Sequence, residues 1–151
     1  MTQEQYNQLV SSYMVRLQDL QRRNQKLIVT RKDMDAFTTE VRRMNSDLRA
    51  AGLLEQDRRS LLTSLAEIMR AGYLRMNNQK GNYELALIMG RQAADLFGDL
   101  GPIGQKILNE DLPTLVKNDR KIRNRQRFSA IFLLIMGLLA LILFISVGGN
   151  A

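Results

Sequence analysis

The chain contains no cysteine, no histidine and no tryptophan, and only two prolines in 151 residues. Without cysteine there is no disulfide to staple a fold and no thiolate nucleophile, which fits a reducing compartment and leaves the chain to hold itself by packing. Without histidine the Ser-His-Asp and Cys-His arrangements are excluded, and with both residues missing nearly every structural zinc site goes too. The remaining carboxylates do not group into an acid, a base and a nucleophile. Asp33 with Asp35 and Glu110 with Asp111 stand beside expected helix starts, where negative charge favours the positive end of the dipole, while Glu67 and Glu84 fall on outward faces. No enzyme, catalytic residue, cofactor or metal is expected.

Against these absences stands one long apolar run. Residues 128–147 read FSAIFLLIMGLLALILFISV, twenty positions without a charge, followed by the short segment 148–151. A helix rises about 1.5 Å per residue and a bilayer core is about 30 Å thick, so a run of this length predicts a single transmembrane helix. Just before it come Lys117, Arg120, Lys121, Arg123, Arg125 and Arg127 against Asp119 alone, whereas residues 1–115 carry 16 basic and 14 acidic side chains. Most of the net charge of +7 is therefore juxtamembrane rather than spread over a nucleic-acid surface, and no nucleic-acid partner is expected. By the bias of Lys and Arg toward the cytoplasmic side, the segment before the span is expected in the cytoplasm, a tail-anchored arrangement. The six basic residues are candidates for contact with anionic lipid headgroups.

The remainder reads as all-α, an elongated bundle with a long N-terminal coiled-coil-like helix. Thr2 and Gln5 form a capping box, and no glycine or proline follows until Gly52. Every seventh residue is apolar, from Tyr6 and Tyr13 through Leu20, Leu27, Met34 and Val41 to Leu48. The companion seam is apolar at Val10 and Leu17 but turns polar at Asn24, Arg31, Thr38 and Asn45. Asn24, Arg31 and Asn45 either fix register or rotate to solvent, and the pattern leaves both open, as it does a break near Thr30 to Asp33, where β-branched residues precede a helix-starting aspartate. Periodicity then predicts helices from about Leu54 to Asn77 and from an Asn82 cap to about Phe97, the latter burying Tyr83, Ala86, Leu87, Ala94 and Phe97, with Gly90 and Ala93 small enough to admit a neighbour. The divisions are 1–52 for the long helix, 53–112 for a helical hairpin and connector, 113–127 for a basic juxtamembrane helix, 128–147 for the span and 148–151 for the tail.

The segment GDLGPIG, residues 98–104, reads as a helix stop followed by a restart at Pro102; the Lys-Ser/Thr ending of a phosphate loop is missing, since Gln105 follows Gly104. Gly81, Tyr83, Ala86, Leu87 and Ala93 follow a spacing that resembles the turn and second helix of a tetratricopeptide repeat, in a single partial copy. In length and layout the chain is also similar to the mitochondrial fission adaptor family, although the basic residues that end that family's tail are missing after Val147. Neither resemblance supplies a site residue.

A continuous helix over residues 3–51 would be about 73 Å long against about 36 Å for its neighbour, leaving half its apolar stripe uncovered. Uncovered apolar surface of that extent implies a partner. The expected function is therefore a membrane-anchored helical interaction module, a tether, adaptor or assembly factor. Its expected partner is a second copy or another helical protein, bound along Tyr6, Val10, Tyr13, Leu17, Leu20 and Leu27. The alternatives are an accessory subunit of a larger membrane complex and, ranked lower, a membrane-fusion or vesicle-trafficking helix protein.

Overall fold

The first helix, α1 (Gln3–Lys26), opens on the expected capping box: the Thr2 hydroxyl accepts from the Gln5 amide at 3.3 Å, and the Gln5 side chain accepts from the Thr2 amide at 2.8 Å. In the computed structural model, which describes residues 1–26, 28, 30–78 and 81–148 (side chains of 26 and 140–148 excepted), it does not continue to Gly52. Thr30 leaves the helical region at φ −112° and ψ 163° and caps a new helix, α2 (Arg31–Ala50), through a second capping box with Asp33. The single long helix is thus corrected to two, of 24 and 20 residues.

The two fold back on each other as an antiparallel pair. The Tyr13 hydroxyl donates to the Asp47 carbonyl at 3.4 Å, Arg16 pairs with the Asp47 carboxylate at 2.9 Å, and Arg23 pairs with Glu40. A short turn leads to α3 (Glu55–Asn78), which packs against both α1 and α2. It runs parallel to α1: the Tyr6 hydroxyl donates to Asp57 near one end, and Asn24 Nδ2 donates to the Ile68 carbonyl at 2.7 Å further along. These three helices have similar lengths, about 36, 30 and 36 Å, so the stripe expected to be uncovered is covered within the chain. Met34, Val41 and Leu48 from α2 meet Leu65, Met69 and Tyr73 from α3 in one core, all fully buried.

Asn82 caps α4 (Tyr83–Phe97) as expected, accepting from the Leu85 amide. Ala86, Leu87 and Phe97 are buried, whereas Tyr83 and Ala94 are only half-buried. The end of α4 is tied to α2 where Arg49 grips Asp99 and the Leu96 carbonyl; the guanidinium hydrogen-bonded to Asp99 holds that carboxyl below the usual carboxylate range. After Gly98 the chain turns at Gly101, whose φ of +52° lies in the left-handed region that glycine adopts freely. It then restarts with Pro102 in the first turn of α5 (Gly101–Lys106). A π-helical turn, Ile107–Asp111, leads into α6 (Leu112–Gly148). There the Leu112 amide donates to the Ile107 carbonyl, five residues back. The extra residue falls just before Pro113, which has no N–H to contribute to an ordinary helical ladder.

Two glycines set how closely these pieces meet. Gly90 on α4 lies under Leu115 of α6, as its small size predicted. A Cβ at Gly104 would stand 2.5 Å from the Gly98 carbonyl oxygen and 2.6 Å from that of Phe97, and backbone does not yield as a side-chain tip does. Gly104→Ala is expected to cost about 1–3 kcal/mol, read as a thermal midpoint roughly 3–10 °C lower in a chain of this size. Gly52→Ala, with nothing within 4 Å of the new carbon, should leave the midpoint unchanged in the same circular-dichroism melt.

Candidate interaction surfaces

Three of the six residues expected to bind a partner are spent inside the bundle. Tyr13, Leu17 and Leu20 are buried, Leu20 to 1% exposure, against the helices just described. Tyr6 and Val10 are half-buried at its end, and Leu27 lies outside the described residues. The cause is the fold-back at Thr30, which brings α2 and α3 onto the face that an outside helix was expected to cover.

The polar seam residues divide. Arg31 is exposed, Asn45 is buried and accepts from Arg49 Nε at 3.1 Å, and Asn24 is buried between α1 and α3. Asn24 donates to the Ile68 carbonyl, its own carbonyl accepts from Arg75, and its Oδ1 faces the bare backbone of Gly72. A polar group placed so within an apolar seam fixes the register of two helices, here two helices of one chain. Beside it runs a groove of about 530 Å³ between α1 and α3, floored by Leu17, Leu61 and Ile68 and edged by Gln18, Gln21, Ser60 and Ser64.

Asp111, expected as a helix cap, does something else. It is buried and receives Arg70 through Nε at 2.6 Å and a terminal nitrogen at 3.1 Å, together with the Tyr73 hydroxyl at 2.5 Å. Burial, reinforced by the bond to Asp111, raises the Tyr73 hydroxyl far above its ordinary range, and the same carboxylate raises the Arg70 guanidinium. Both groups stay protonated donors. The signal was present in the sequence: Ile103, Ile107, Asp111 and Leu115 form a four-residue row that is apolar except for Asp111, and the whole row faces inward.

Along α6 the six expected lipid-contact residues, Lys117, Arg120, Lys121, Arg123, Arg125 and Arg127, are all exposed. Arg123 is engaged by Asp119 at 2.8 Å, and the other five form no ion pair among the described residues. Past Ile122 the helix presents residues 123–139 exposed on every side, including the large apolar side chains of Phe128, Phe132, Leu133 and Leu134, which are 63–73% exposed. Among the described residues no helix is long and apolar enough to cross a membrane. The described side chains of the expected span are those of 128–139, and 140–147 lie outside them. Comparison of the chain with models of protein families, with curated proteins and with solved structures finds no match.

Proposed function

We propose that the chain is a membrane-anchored helical interaction module without catalytic activity, held by residues 128–147 with its bundle on the cytoplasmic side. The observation that supports the anchor is the bare apolar collar of α6. The bundle satisfies its own core, and no described residue buries Phe128 to Leu139, whose large apolar side chains are 49–73% exposed; covering such a side chain completely is worth about 1.5–3 kcal/mol. Residues 140–147, read from the sequence, extend the uncharged run to twenty, which matches a bilayer core of about 30 Å. Lipid is the solvent that covers such a helix on all sides, and the cationic flank supplies both orientation and headgroup contact.

The test is extraction of vesicles carrying the full chain. The protein is expected to resist alkaline carbonate, and protease added outside inside-out or cell-free vesicles should cut within residues 1–127. Leu134→Arg with Leu138→Arg adds about 2.5–3.5 kcal/mol per residue against insertion and is expected to move the protein to the supernatant with its bundle still folded. Release of the unmodified chain by carbonate would end this reading.

A further inference from the structure

We propose that the basic flank is two sites, and that its upper part, Lys117, Arg120 and Lys121 with the apolar shoulder of Leu108, Leu112 and Val116, docks an acidic amphipathic helix of a protein partner. The inference rests on the span reading, because heights are counted from Phe128. At about 1.5 Å per residue, Arg127, Arg125 and Arg123 stand roughly 2, 5 and 8 Å above the apolar boundary, while Lys121, Arg120 and Lys117 stand roughly 10, 12 and 16 Å above it. The headgroup layer is about 5–8 Å deep on each side. A tilt of about 20° lowers these heights by less than a tenth. The lower three arginines sit among headgroups, and the upper three cations stand above them in water.

The same upper three adjoin apolar surface that the bundle covers only in part, since Leu112 and Val116 pack against the core along one edge while Leu108 stands out. Leu108, Leu112, Val116 and Arg120 form one row at four-residue spacing, and Lys117 and Lys121 belong to the row beside it. Together they line a shallow furrow of about 740 Å³, with Leu112 at its inner edge, where the same side chain reaches toward Gly90. A furrow between two such rows is the shape that receives the side-chain ridge of a crossing helix. Leu108 is 41% exposed, Leu112 and Val116 are half-buried, and Lys117, Arg120 and Lys121 have no carboxylate partner among the described residues. Apolar anchors beside three unanswered positive charges fit a helix with leucine-type residues on one stripe and glutamates or aspartates along its edge. A second copy is a poor match, since residues 1–115 are nearly balanced in charge.

The experiment uses the full chain in phosphatidylcholine nanodiscs, with a fluorescent synthetic peptide as probe, an amphipathic helix with leucines at i, i+4 and i+7 flanked by glutamates. Binding is expected to weaken with salt and to fall at least tenfold on replacing Lys117, Arg120 and Lys121 by Glu, since each exposed charge contributes a fraction of a tenfold step. Replacing Arg123, Arg125 and Arg127 by Glu should change it less than threefold. In parallel, a fluorophore at position 127, but not at 120, should be quenched by headgroup-quencher lipid in vesicles containing phosphatidylserine. Equal quenching at both positions, or peptide binding indifferent to the upper substitutions, overturns the proposal and assigns the upper cations to lipid or to nothing. Carbonate extraction of the same unmodified protein reports failure of the span separately, and with it the height argument.

Discussion

Asp111→Ala is expected to lower the thermal midpoint of the bundle by roughly 10 °C. The carboxylate is 7% exposed and accepts three hydrogen bonds, two from Arg70 and one from Tyr73, whose ring is fully buried. Removing it leaves the Tyr73 phenol without its acceptor and the Arg70 guanidinium with only the looser Glu67 carboxylate at 3.8 Å, and breaking a buried pair by deleting one partner costs about 3–5 kcal/mol. Because the Arg70 side chain is 19% exposed, solvent recovers part of that, and the lower end of the range applies. Tyr73→Phe removes only one bond and should cost about 1 kcal/mol. Asp111→Asn keeps an acceptor and should fall between the two. Circular-dichroism melts of the detergent-solubilised chain read all three. An Asp111→Ala midpoint no lower than that of Tyr73→Phe would mean that Asp111 does not join α3 to the π-helical turn.

Leu20→Glu is expected to unfold the bundle, or to free α1 from it. Leu20 is 1% exposed within the core cluster, and an ionised carboxylate buried there without a partner costs several kcal/mol. That is a large fraction of the 5–15 kcal/mol that holds a typical domain together. Limited proteolysis should then cut within residues 3–26, which the parent protects, and the melt should lose its cooperativity. Met14→Glu, on the same helix but 51% exposed, should leave both unchanged. Had the row from Tyr6 to Leu27 been an outer strip, Leu20→Glu would have broken association and spared the fold, so a parent-like melt for Leu20→Glu contradicts the packing of α1.

These two positions show where local patterns suffice and where they do not. Caps are short-range chemistry, and Thr2 with Gln5 and Asn82 were legible because each satisfies amides within three residues of itself. The heptad row was legible as a buried face. It did not reveal what covers the face, since a seven-residue period serves a partner chain and a fold-back equally well; the deciding feature is the departure of Thr30 from helical geometry. Asp111 was misread because an acid near a helix start satisfies a local rule. Its burial depends on Arg70 and Tyr73, about forty positions earlier. The exposed flank of α6 was legible as charge, but that its cations line one continuous helix emerges only with Leu112–Gly148.

That continuity has a mechanical consequence. Leu115 is clamped against α4 and Phe128 stands about 20 Å further along the same hydrogen-bonded rod, with no proline or loop between them to act as a swivel. A turn of the bundle is therefore passed along the rod toward its apolar end rather than absorbed at a joint.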